Sequence, residues 1–89
     1  MEKVSFSFYI SPLKMTYMEA AGYRKSIALL LDKALRDTDT GKWVGGSYTK
    51  NVIEIFLTLN DYDRALPIIK SVLKTHRLAP YMRITRQPE

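Results

Sequence analysis

Apolar and polar residues alternate near the start of the chain, where Val4, Phe6, Phe8 and Ile10 interleave with Ser5, Ser7 and Tyr9. A side-chain period of two predicts a strand with one strongly apolar face, and Pro12 ends it. After a short connection, Ser11 to Met15, the period changes. Ala20, Tyr23, Ile27, Leu30, Leu31, Ala34 and Leu35 recur at helical spacing and predict a buried stripe. Thr16 and Glu19 have the spacing of a capping box, in which each side chain satisfies an exposed backbone N–H at the helix start. Gly22 interrupts the pattern and argues for a later start of the regular helix. The helix stops between Asp37 and Gly41.

Lys42 to Thr49 reads as a second strand, with Gly45-Gly46 marking a bulge or a close backbone approach. A turn at Lys50-Asn51 leads into the clearest strand. There Ile53, Ile55, Leu57 and Leu59 share one face, and Val52, Glu54, Phe56 and Thr58 share the other. Asn60 or Asp61 caps a second helix, and Asp63 adds negative charge near its positive end. Its buried stripe is Tyr62, Ala65, Leu66, Ile69, Val72 and Leu73. Pro67 cannot donate an intrahelical hydrogen bond, so this helix either kinks there or begins only about a turn earlier. Pro80 marks the exit, and Tyr81 to Arg86 forms a last strand with Met82 and Ile84 facing inward.

This order, strand-helix-strand-strand-helix-strand, resembles the split β-α-β arrangement of the ferredoxin-like superfold. The resemblance implies an α+β sandwich in one domain, residues 1–89: a four-stranded antiparallel sheet with both helices on one face. Right-handed crossovers place the first and third strands at the centre. Ser5, Ser7, Tyr9, Glu54, Phe56, Thr58, Tyr81, Arg83 and Thr85 then form the other face, a mixture of aromatic and polar groups. The fold hosts many unrelated functions, so the residues of this surface must decide the activity.

Composition narrows the choice. Apolar residues are 46% and charged residues 26% of the chain, ordinary for a globular domain and against intrinsic disorder. No apolar run approaches the ~20 residues that span a bilayer, and the first residues lack the long apolar stretch of a signal peptide. A cytoplasmic protein without a membrane partner is expected. Cysteine is absent, which removes disulfides, thiolate metal sites and thiol catalysis. The net charge of +5 is uneven: residues 1–63 balance eight basic against eight acidic side chains. Arg64, Lys70, Lys74, Arg77, Arg83 and Arg86, set against Glu89 alone, carry the whole excess. Such a field favours encounter with anionic partners.

Several chemistries fail on their residues. Acylphosphatases share this segment order and hold phosphate with a Gly-rich first loop and an Arg, with an Asn on the middle strands orienting water. Asn51 is present here, but Ser11-Pro12-Leu13-Lys14-Met15 has neither Gly nor Arg. Asp37-Thr38-Asp39-Thr40-Gly41 has the opening of a calcium loop, yet its sixth and twelfth positions are Lys42 and Tyr48, where Gly and a bidentate carboxylate are required. His76 is the only histidine, lies near Lys74 and Arg77, and has no carboxylate close in sequence to orient it. It reads as a solvent-exposed helix residue. Gly41, Gly45 and Gly46 precede no Gly-Lys-Ser/Thr ending of a phosphate loop. No enzyme, metal or cofactor is expected.

Two binding classes remain. RNA-recognition domains of this architecture stack bases on aromatic residues of the central strands. Tyr9 and Phe56 offer rings and Arg83 a guanidinium, but the basic-Gly-aromatic motif is absent and Glu54 repels phosphate. The preferred expectation is a non-enzymatic protein-binding or regulatory module. Tyr9, Phe56, Tyr81 and Arg83 make the sheet-face contact, Lys70, Lys74 and Arg77 form a basic rim, and the partner is a second copy or another protein. Trp43 and Tyr48 are further aromatic candidates on the edge-prone second strand, and equally Trp43 packs over the glycines and covers exposed backbone. In size and style the chain is similar to small stand-alone bacterial proteins that act as binding or inhibitory partners, including immunity proteins of toxin systems. A nucleic-acid binder using the same platform and rim is the alternative.

Overall fold

The computed structural model describes residues 2–49 and 51–87. Lys50 of the expected turn, like Met1 and Glu89, lies outside them. The elements follow in the expected order: β1 (Glu2–Tyr9), α1 (Tyr17–Asp37), β2 (Gly41–Thr49), β3 (Val52–Leu59), α2 (Tyr62–Leu73) and β4 (Met82–Gln87). The strands form one antiparallel sheet in the order β2-β3-β1-β4, which is the ferredoxin-like arrangement. β1 and β3 are central because each crossover carries a helix over a neighbouring strand before the chain returns.

The alternation read from the chain determines which faces are dry. Val4, Phe6, Phe8 and Ile10 from the β1 region and Ile53, Ile55, Leu57 and Leu59 from β3 are all buried. They meet Ala20, Ile27, Ala28, Leu31 and Leu35 of α1, and Ala65, Ile69 and Leu73 of α2, in one continuous core. α1 begins directly at its cap. Thr16 Oγ1 accepts from the Glu19 N–H at 3.2 Å, and Glu19 accepts from the Thr16 N–H at 3.3 Å. Gly22 therefore lies inside the helix and does not delay it. The expected stripe is corrected at one step: Leu30 is 46% exposed and Ala28 is buried in its place. The rotation of α1 against the sheet selects the smaller side chain for close approach.

Pro67 is accommodated by position. α2 is capped by Asp61, whose carboxylate accepts from the Arg64 N–H at 3.1 Å, and so starts about one and a half turns ahead of the proline. Asn60 turns away, donating through Nδ2 to the Asp39 carbonyl at 2.9 Å. Two polar ties hold the edges. Asp32 accepts from the Trp43 N–H and from Arg36 Nε, both at 2.9 Å, and joins α1 to β2. The Trp43 N–H above all, with Arg36 beside it, holds the Asp32 carboxyl below its ordinary pKa. On β4, Arg86 pairs with Glu2 and lies 3.8 Å from the Tyr62 ring centroid.

Candidate functional site

Strand register places the exposed-face residues in rows. On β1, Ser5 stands between Phe56 of β3 and Thr85 of β4, and Ser7 stands between Glu54 and Arg83. Lys3 stands beside Thr58, and Tyr9 beside Val52. β2 extends the rows with Lys42, Gly45, Ser47 and Thr49. Both helices pack on the opposite side, so this face has only its own side chains for cover. Ser5 and Ser7 are nevertheless 5% and 8% exposed, because larger neighbours on both flanking strands close over them.

The contacts within this face are polar and aromatic. Ser5 Oγ donates to Glu54 Oε2 at 3.4 Å. The Arg83 guanidinium lies 5.3 Å from the centroid of the Tyr9 ring, within cation–π range. Tyr9 remains 44% exposed. Among the described residues, neither Glu54 nor Arg83 makes an ion pair. Phe56 is half-buried and passes beside Gly45, where an added Cβ would stand 3.6 Å from its Cδ2. A bulge between Trp43 and Gly45 inserts Val44 and leaves it half-exposed. Val44, Phe56, Lys3, Val4 and Leu57 line a hollow of about 280 Å³.

The structure gathers some of the expected residues and separates others. Tyr9, Phe56 and Arg83 share the open face. Tyr81 lies in a short 3-10 turn, Ala79–Tyr81, and not in β4, because Pro80 directs the chain into a tight bend closed by the Tyr81 N–H on the Leu78 carbonyl. The last strand accordingly runs from Met82, one residue later than expected. Lys70, Lys74 and Arg77 are exposed on α2 and the segment after it. They belong to the helix layer on the far side of the sheet, and Arg77 bonds to the Tyr23 hydroxyl of α1 at 3.3 Å. The platform and the basic rim therefore do not adjoin.

Trp43 takes the second of its expected roles, and two further residues differ from expectation. Trp43 faces the helices, packs against the core and donates through Nε1 to the Gly45 carbonyl at 2.7 Å, which closes the bulge. Tyr48 also faces inward and meets the Tyr17 ring at 5.4 Å. His76 is not a solvent-exposed helix residue. It lies beyond the end of α2, half-buried, edge-on to Tyr23 at 5.8 Å, and its Nδ1 accepts from the Leu78 N–H at 3.1 Å. Burial pushes its pKa below the ordinary histidine value. The imidazole is thus engaged in closing a turn on the helix side.

Lys3, Val44 and Ser47 belong to the open face and were missed as candidates. The alternation through Ser5 and Ser7 already implies Lys3. The paired glycines imply a change of phase on β2, but only its exact position exposes Val44. Neither a comparison with protein-family models nor one with curated proteins finds a match for this chain. Its surface can supply stacking, hydrogen bonds and ion pairing to a flat partner.

Proposed function

We propose that the chain is a non-enzymatic protein-binding module that associates with a second copy of itself through the open sheet face. The observation that supports this reading is a broad face left uncovered by both helices, on which Phe56, Val44, Tyr9 and Arg83 surround small central serines. Aromatic residues and arginine give large contact area and oriented polar groups, and they are the residue types that most often anchor interfaces. Four strands ~4.8 Å apart, six to nine residues long at ~3.3 Å each, offer roughly 500 Å² in plan before side-chain relief is counted. That is within reach of the ~800 Å² per partner of a standard interface.

Sedimentation equilibrium over a wide concentration range tests the proposal. A reversible dimer is expected, weakened by Phe56→Ala and unaffected by Lys70→Ala on the helix layer. A strict monomer at the highest concentration overturns it. A nucleic-acid partner is the competing outcome, favoured by the +5 net charge. It requires retention of labelled nucleic acid at low salt, with affinity falling linearly in log-log form as salt rises. Glu54 at the centre of the platform disfavours it.

A further inference from the structure

Resting on the self-association just proposed, we infer that the two copies meet about a two-fold axis running along β1, so that Glu54 of each copy pairs with Arg83 of the other. The register carries the inference. Glu54 on β3 and Arg83 on β4 are the two cross-strand neighbours of the same residue, Ser7, and so lie at equal distances on either side of β1. Their charges are opposite, and among the described residues neither has an ionic partner within its own copy.

Rotation by a half-turn about β1 lays β3 of one copy over β4 of the other. Glu54 then faces the partner's Arg83, and Arg83 faces the partner's Glu54. Each residue of the pair meets the other twice, as a two-fold interface demands. Face-to-face sheets lie ~10 Å apart with strand directions within ~30°. The combined reach of a glutamate and an arginine spans that gap. Ser5 and Ser7 lie on the axis opposite their own counterparts, where small side chains keep the sheets from being propped apart. Phe56 meets the partner's Thr85.

The other in-register arrangements are electrostatically worse. A two-fold along the seam between β1 and β3 sets Glu54 over the partner's Ser7 and Arg83 over Ser47. One lying across the strands, between the rows of Ser5 and Ser7, sets Glu54 on Phe56 and Arg83 on Thr85. Both leave Glu54 and Arg83 of each copy, four charges in all, without facing counter-charges, and an unpaired buried charge is strongly unfavourable. The axis along β1 gives both Glu54 and both Arg83 an opposite charge, while Lys3, exposed near the end of β1, faces its own counterpart at the rim.

Charge reversal and mixing test the axis. With Glu54→Arg, both members of each cross-subunit pair are positive; with Arg83→Glu, both are negative. Each variant alone should dimerise at least about tenfold more weakly than the wild type. An equimolar mixture of the two variants should recover wild-type-like association as a heterodimer, read by native mass spectrometry. Misfolding cannot produce this recovery, and circular dichroism checks each variant alone. If the wild type dimerises and the mixture does not recover, the axis is wrong and self-association stands. If the wild type is monomeric, both fail. Should either reversal unfold the chain, Glu54→Gln and Arg83→Gln replace them: each should weaken the dimer by roughly three- to tenfold, and unchanged affinity overturns the pairing.

Discussion

The two faces of the central strands are built from alternate residues of the same segments, yet they do different work. On the helix side, Phe6, Phe8, Ile53 and Ile55 are fully buried in the core that both helices complete. On the open side, Ser5 and Ser7 are shielded only by their neighbours, while Tyr9, Glu54, Phe56 and Arg83 retain contact with solvent. The helix-side residues stabilise the fold by removing apolar area from water. The open-side residues leave stacking and ionic groups available. Stability and the proposed recognition are therefore separated by one residue of register, and a substitution that touches one should leave the other largely intact.

The sharpest test of that separation compares two phenylalanines. Phe6→Ala removes a fully buried ring and should cost about 3–5 kcal/mol of unfolding free energy, measured by denaturant titration. Phe56→Ala should cost about 1 kcal/mol in the dilute monomer and act mainly on association. Equal losses for the two would break the comparison. Glycines give a smaller contrast. A Cβ at Gly46 would stand 2.5 Å from the Glu54 carbonyl oxygen and force β2 from β3, so Gly46→Ala should destabilise by about 2 kcal/mol. Gly22 on α1 has open space around it, and Gly22→Ala should stabilise by about 0.5–1 kcal/mol, seen as a higher melting temperature.

The least effect comes from pH at the margin of the helix layer. Burial lowers the His76 pKa from its ordinary 6.5, so the native state binds fewer protons than the unfolded chain. Its contribution is present above that value and is lost as pH falls through the lower native one. Unfolding free energy should therefore decline on acidification from neutral pH. His76→Gln should flatten that slope while leaving association of the open face unchanged.

Much of this organisation was legible in the chain because it is local. The Thr16–Glu19 box, the Asp61 cap and the alternation in β1 and β3 depend on residues a few positions apart, and each forms as expected. Most errors arose where a neighbour distant in sequence decides the outcome. Leu30 was assigned inward, but packing against the sheet turned α1 so that Ala28 is buried. His76 read as exposed because its partner Tyr23 lies on the other helix. Tyr81 read as strand because Pro80 marks a boundary without showing that the bend beyond it is a 3-10 turn. Trp43 read equally as a contact aromatic or as a cover for the glycines, and its Nε1 bond to the Gly45 carbonyl decides for the second.

By itself, the sequence determined which residues of each strand share a face, which residues can cap the helices, and that the excess positive charge follows residue 63. Side-chain period and capping are properties of neighbouring residues, and they survive in any context. The tertiary structure alone decided what stands across each strand. Hydrogen-bonded register brought Glu54 and Arg83 to either side of Ser7, although the three are far apart along the chain. That juxtaposition exists only once the sheet has formed, because non-local backbone pairing, and not residue spacing, sets it.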